Sequence, residues 1–246
     1  MMKFGFFTDR GLDKQDLMKD PWNKTDWHPD VNSHGYRCQE WDPMPNGKKN
    51  VVVLGCSHTF GQGLLPGDHW VSMLSQHNTE RLRYWNLGVP GASGECCVRR
   101  LWGSQQLIDP RIVIMCWPDT SRRSWYGNYN KPGSLTGQDE ANRYQTDYTD
   151  LMTFLHNVFW VEKYGEVNQA KILHCFATEV VEHEDMSSLN VLRHQTIKNC
   201  WPYWDKFTQR QIHAEPSLAL DGKHYGKKHH ERFAKLFLDH FGPKLK

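Results

Sequence analysis

The sequence predicts an α/β fold built on a mainly parallel sheet, and two features carry that prediction. Runs at 51–54 (VVVL) and 112–117 (IVIMCW) are short and apolar, as strands buried on both faces of a parallel sheet are, and 171–176 (KILHCF) reads as a further strand. Between and after them lie stretches whose apolar residues recur at helical spacing, the alternation that a parallel sheet requires. The length of 246 residues suits one such domain. The expected organisation is an irregular N-terminal arm over 1–50 packing on an α/β domain over 51–246. An insertion at about 121–146 interrupts that domain.

In the arm, Pro21, Pro29, Pro43 and Pro45 break any long helix. Trp22, Trp27, Tyr36 and Trp41 give it apolar surface to pack with. After the first strand and a glycine-rich turn, a helix is expected from about 66 to 77, with Trp70, Met73 and Leu74 on its inner face. A second strand through Tyr84 and Trp85 runs into another glycine-rich turn. Ser93 or Gly94 starts a helix over about 95–107, with Val98, Leu101 and Trp102 inward. Pro118 stops the third strand. Residues 121–146 are rich in Arg, Tyr, Asn and Gly without periodicity and read as a functional or mobile loop. A helix over 148–164 places Leu151, Phe154, Leu155, Val158 and Phe159 inward, and the 171–176 strand comes next. Residues 186–199 read as helical and 200–219 as irregular and aromatic. Phe233, Leu236, Phe237 and Phe241 mark a terminal helix.

Composition excludes several classes. With 38% hydrophobic and 24% charged residues, the chain is neither disordered nor a membrane protein. A formal charge of +2 gives no basic surface for nucleic acid. No apolar run is long enough for a transmembrane span, and Asp9 and Arg10 come too early for a secretory signal. The seven cysteines are odd in number, and Cys56, Cys96, Cys97 and Cys116 fall in or beside core elements. A reducing, cytoplasmic setting is therefore expected. No Cys/His spacing suggests zinc. His183-Glu184-Asp185 reads as a polar loop, and the adjacent His229 and His230 point about 100 degrees apart on a helix. Neither pattern suits a metal.

The chemistry concentrates where the first strand stops at Gly55. Cys56, Ser57, His58 and Thr59 come directly after it, before Gly61 and Gly63. Small polar residues at such a strand end stand at the carboxyl edge of the sheet, where open α/β sheets bind ligands. Asp221-Gly222-Lys223-His224 precedes the last helix. A serine hydroxyl needs a base to become a nucleophile, and imidazole titrates near neutral pH. A carboxylate on the same loop can orient that imidazole and stabilise its cation.

The segment Gly55-Cys56-Ser57-His58-Thr59-Phe60-Gly61 resembles the nucleophile pattern G-D-S-x-T-x-G of the SGNH (GDSL-like) hydrolases, with Cys56 where the family has Asp. Asn32-Ser33-His34-Gly35-Tyr36-Arg37 is similar to the N-x-x-G-[FY]-R phrase that precedes the nucleophile strand in many members. Asn86-Leu87-Gly88-Val89-Pro90-Gly91 resembles N-x-G-x-x-G, and Asp221 to His224 resembles the family's D-x-x-H. The resemblance spans about residue 30 to the C-terminus, leaving the middle insertion unmatched. It implies a flavodoxin-like three-layer α/β/α sandwich, the SGNH hydrolase fold, and ester hydrolysis through an acyl-enzyme. It assigns Ser57 as nucleophile, His224 as general base and Asp221 as the group that orients it. The backbone N–H groups of Ser57 and Gly91 would hold the oxyanion.

The family's third donor is an asparagine in G-x-N-D. Here Trp117-Pro118-Asp119-Thr120-Ser121-Arg122 stands instead, and either Asp119 or Thr120 takes the place. An ionised aspartate would repel the oxyanion, so charge favours Thr120. No metal or organic cofactor is required. The expected partner is a small-molecule or glycan ester, and eleven tryptophans lean towards a carbohydrate O-acetyl ester. Two other readings stand beside this one: a non-catalytic binding module on the SGNH scaffold, and an acyltransferase in which an alcohol replaces water. The oligomeric state is left open.

Overall fold

The run expected at 51–54 is the enclosed end of β1 (Lys49–Leu54), whose last four residues have no exposed surface. The strand starts two residues early, because Lys49 and Asn50 still pair with β2 although they lie nearer solvent. The computed structural model describes residues 30–41, 47–126, 132–135, 146–197 and 217–245. The rest of the arm and most of the stretch 200–219 fall outside those residues.

The later strands are β2 (Leu82–Asn86), β3 (Pro110–Trp117), β4 (Arg123–Tyr126), β5 (Pro132–Leu135), β6 (Lys171–Phe176) and β7 (Val191–Thr196). A five-stranded sheet runs in the order β2-β1-β3-β6-β7, with every pairing parallel. With β4 and β5 set apart, this is the doubly wound 2-1-3-4-5 order of flavodoxin-like folds, whose switch point lies between the first and third strands. Ser57 leaves the sheet at that switch point.

The helices are α1 (Ser57–Phe60), α2 (Trp70–Ser75), α3 (Gly94–Ile108), α4 (Asp147–Asn168) and α5 (Lys227–Phe241). They form two groups: α2 packs with α5, and α3 with α4. Together with the sheet they make the expected three-layer sandwich. Their ends obey local chemistry. Ser93 Oγ accepts from Cys96 N to cap α3, and Thr146 and Thr149 form a reciprocal capping box on α4. On α5, Phe233, Phe237 and Phe241 recur every fourth residue and are fully buried, with Trp70 edge-on to Phe233 at 5.1 Å.

Three expectations need correction. The stretch 186–199 is not helical: after a 3₁₀ turn (Glu184–Met186) it forms β7, the outer strand beside β6. An edge strand is held by backbone pairing on one side and needs no continuous apolar run, so Val191-Leu192-Arg193-His194-Gln195-Thr196 lacks the signature of the inner strands. Second, the insertion 121–146 is not irregular throughout, because β4 and β5 form an antiparallel pair with Arg123 opposite Leu135. Third, Phe159 is exposed on α4. The buried stripe there passes through Phe154, Asn157, Val158, Val161 and Tyr164, and Phe159 sits to one side of it.

One polar group at the centre of the core is satisfied on both sides. His174 is fully buried in β6, where Trp117 Nε1 donates to its Nδ1 at 2.9 Å and its Nε2 lies 2.7 Å from Glu162.

Gly55 marks the tightest point of the fold. A Cβ there would stand 2.7 Å from the Cys116 carbonyl oxygen and 2.2 Å from Thr59 Oγ1. One of those atoms is backbone in the central sheet and cannot give way. Gly55→Ala is therefore expected to destabilise the fold by at least about 1–3 kcal/mol, the usual cost of overpacking. Urea denaturation measures this, and an unchanged midpoint would refute the contact.

Candidate active site

Ser57 is the first residue of α1 and is buried. The turn around it closes on itself. Thr59 N and Phe60 N donate to Cys56 O at 3.0 and 2.9 Å, and Gly61 N and Gln62 N donate to Ser57 O at 2.9 and 3.0 Å. The arm supports this turn from outside. Asn32 Oδ1 accepts from His34 N and Tyr36 N, both at 3.0 Å, so segment 32–37 is a tight turn. It aims the buried Arg37 inward, where the guanidinium donates to the Gly61 and Leu64 carbonyls. Burial lowers the Arg37 pKa to about 10, even though Asp30 and Asp68 pull the other way. The sequence resemblance singled out this segment without giving Arg37 a role. It braces the nucleophile loop.

Asn86, at the end of β2, was missed as a positioning residue. Its side chain donates to Thr59 O at 2.9 Å and accepts from Gly88 N at 3.0 Å. It thereby clasps the 86–91 turn to α1. Gly91 has φ +72 and a Cβ there would meet nothing within 4 Å, so backbone conformation rather than crowding demands glycine. Among the described residues, neither Ser57 N nor Gly91 N donates to a protein acceptor.

Asp221 and His224 are brought together as expected. His224 Nδ1 lies 2.6 Å from Asp221 Oδ2, while Asp221 Oδ1 accepts from the backbone N–H groups of Lys223 and His224 at 3.0 Å each. Burial opposes ionisation of this carboxylate, but those donors outweigh it and hold its pKa below the usual range. The loop is pinned by an antiparallel bridge between Leu218 and Tyr225. It docks on the turn after Ser57 through Leu220 N, which donates to Gly63 O at 2.8 Å. A Cβ on Gly63 would stand 2.8 Å from Asp221 Cγ. No hydrogen bond joins the Ser57 hydroxyl to the His224 ring among the described residues.

His58 lies between these parts. Its ring stacks on Tyr225 at 5.0 Å and meets His224 edge-on at 5.6 Å. Burial, reinforced by the His224 and Arg122 charges, lowers its pKa to about 3, so it is a neutral wall of the site. His69, the N-cap of α2, is likewise held at about 3 by burial and the Arg37 charge. His230 accepts from Trp70 N at 3.2 Å, and burial holds it well below the usual imidazole range. No group of three or more metal-ligating side chains forms among the described residues, and His183 instead caps the turn at Glu184–Met186.

The two candidates for a third donor differ. Asp119 Oδ1 is engaged within its own turn, accepting from Ser121 N at 2.9 Å and Ser121 Oγ at 2.6 Å. Thr120 is half-buried, and its carbonyl accepts from Arg123 Nη1 at 2.7 Å. Neither side chain is hydrogen-bonded to Ser57, Gly91 or His224 among the described residues. Sequence reasoning passed over a nearby residue, Arg122, whose charge acts on both neighbours of Ser57.

Among solved structures, TesA aligns with 80% of this chain and 100% of its own at 12% identity, with a TM-score of 0.51. The fold is that of the SGNH hydrolases. A psychrotrophic esterase, EstA from Pseudoalteromonas sp., aligns over 80% and 99% of the two chains at 13% identity, with a TM-score of 0.49. A lipolytic G-D-S-L-family protein from Veillonella parvula aligns over 79% and 98% at 14% identity, with a TM-score of 0.47. The likeness is one of fold. No family model and no curated protein matches the chain.

The buried histidines set a pH dependence of stability. His58 and His69 bind no proton in the folded state until about pH 3, whereas an unfolded imidazole binds one below about pH 6.5. Unfolding therefore takes up protons as pH falls from 6.5 towards 3, and stability declines through that window. Two such groups give a slope of about 2–3 kcal/mol per pH unit. Urea titrations at pH 7, 6 and 5 should show it. His69→Asn, which keeps a capping acceptor, should flatten the slope by about one proton, and an equal slope in that variant would exclude His69.

Proposed function

We propose that this chain is a serine-dependent ester hydrolase that works through an acyl-enzyme. The observation that carries the reading is the 2.6 Å Asp221–His224 pair docked on the turn after Ser57. Support comes also from the SGNH hydrolase fold and from the position of Ser57 at its switch point. In this mechanism Ser57 Oγ attacks the ester carbonyl carbon while His224 Nε2 takes its proton. Asp221 holds Nδ1–H and stabilises the imidazolium. The carbonyl oxygen becomes an oxyanion facing the N–H groups of Ser57 and Gly91. Collapse expels the alcohol, which takes the proton from His224. Water, activated by the same base, then releases the acid.

For the substrate, the sequence leans towards a carbohydrate O-acetyl ester because of its tryptophans. Of those described, Trp70, Trp85 and Trp117 are core, and Trp41 and Trp102 pack against it. The glycan preference thus rests on Trp160, which is exposed on α4, and on tryptophans 22, 27, 201 and 204 and the side chain of 125, which lie outside the described residues. The reading on which the chemistry stands is the broader one, a small-molecule ester.

Two variants test it. Ser57→Ala should abolish fluorophosphonate labelling and lower p-nitrophenyl acetate turnover by about 10⁴-fold or more. Asp221→Asn should lower kcat by about 10²–10⁴-fold, since His224 would lose its orienting partner. Label on another serine, or undiminished turnover in Ser57→Ala, would sink the assignment.

A further inference from the structure

The end of β3 supplies one cation that the hydrolase reading leaves unused. Arg122 stands on the turn that leaves β3, and its backbone N donates to Asp119 O at 3.2 Å. Its Nη1 atom is buried, yet no acceptor partners it. Among the described residues no carboxylate pairs with this guanidinium. Its neighbour Arg123 is the opposite case. Arg123 pairs with Asp150 and donates to the carbonyls of Thr120 and Thr149.

An unpaired cation with a buried N–H is costly to keep, so the folded chain carries it at the expense of stability. The position of the charge says where a partner would arrive. Arg122 acts on the Cys56 thiol and on the His58 ring, the two residues that flank Ser57, and it disfavours protonation of both. Geometry agrees: β1 and β3 pair in parallel up to Leu54 and Met115, and Gly55 crosses against the Cys116 carbonyl, so the turn bearing Ser57 and the turn bearing Arg122 leave the same edge of the sheet from adjacent strands. A group that becomes negative there during the reaction is the oxyanion itself, formed when Ser57 adds to an ester.

Resting on the hydrolase reading above, we propose that Arg122 is the third oxyanion donor, in preference to Asp119 and Thr120, the two candidates the sequence offers for the family's asparagine. Its N–H groups donate to the carbonyl oxygen as the C=O π pair moves onto it. They release it as the bond re-forms and the alcohol departs. Arg122 exchanges no proton in the cycle, since guanidinium stays charged throughout. A full positive charge in a partly desolvated site stabilises an anion more than a neutral carbonyl. The contribution therefore falls on kcat and leaves KM for a neutral ester nearly unchanged.

The test compares Arg122→Gln, Arg122→Lys and Arg122→Gly with the wild type on p-nitrophenyl acetate, alongside the rate of fluorophosphonate labelling at Ser57. Arg122→Gln should lose about 10²–10³-fold in kcat and a comparable factor in labelling rate, with KM changed little. Arg122→Lys keeps the charge and should retain more of the rate. Added guanidinium should restore part of the activity of Arg122→Gly, which a merely structural residue would not allow. A kcat in Arg122→Gln within about threefold of wild type, or loss confined to Thr120→Val, overturns the proposal. Equal loss in Gln and Lys without guanidinium rescue overturns it too. If Arg122→Gln raises KM only for an ester bearing a carboxylate, the residue binds a substrate anion and the oxyanion role falls. A wild type that hydrolyses no ester and takes no label at Ser57 overturns the hydrolase reading, and this proposal with it.

Discussion

The site depends on a single close approach, that of Gly55 to the carbonyl of Cys116. β1 is enclosed by β2 and β3, so its exit must cross the end of β3 at the distance set by one missing methyl group. This contact fixes the height at which Ser57 emerges and sets it beside the turn that leaves β3, where Arg122 stands. The same constraint brings Asn86 and the 86–91 turn in from the other flank, through bonds to α1 that a looser exit could not make.

Around that crossing the electrostatics are arranged by exclusion. His58, His69 and His230 lie close together, yet burial keeps each of them neutral. They pack like aromatic rings, with Tyr225 and Trp70 among their contacts. Arg37 points its charge at the Gly61 and Leu64 carbonyls, while the Asp221 carboxylate stands on the His224 loop and the Arg122 guanidinium beyond β3. In the proposed mechanism the carboxylate would stabilise a positive charge forming on the imidazole and the Arg122 guanidinium a negative charge forming on the substrate. A carbonyl addition separates charge along that line.

Much of this was legible in the sequence where burial is two-sided. Val51 to Leu54, Ile112 to Trp117 and Lys171 to Phe176 declared themselves because an inner parallel strand tolerates little but apolar side chains. β7 did not, because an edge strand answers to its neighbour's backbone more than to a core. Ser57 was singled out by glycine placement, and the Asp221–His224 contact by a D-x-x-H spacing that one short loop can satisfy. Arg37 and Asn86 act by bonding to carbonyls far away in sequence, and no local pattern announces that. The role proposed for Arg122 was hidden for a different reason: the asparagine position points to short donors, whereas an arginine is long enough to serve from a residue or two beyond. Phe159 shows the limit of periodicity, since an apolar residue one step off a helical stripe reads as part of it.

The docking of the 217–226 loop on Gly63 carries a consequence for how the molecule comes into being. Synthesis delivers Ser57 early and the Asp221–His224 pair late, and the bond from Leu220 to Gly63, with the contacts of the His58 ring, unites them. A nascent chain can lay β1 beside β2 and β3, and pack α3 behind them, long before Asp221 has left the ribosome. Under the proposed mechanism Ser57 has no base throughout that interval, and the growing polypeptide could not attack esters around it. Competence would then arrive with the last helix, when α5 settles against α2.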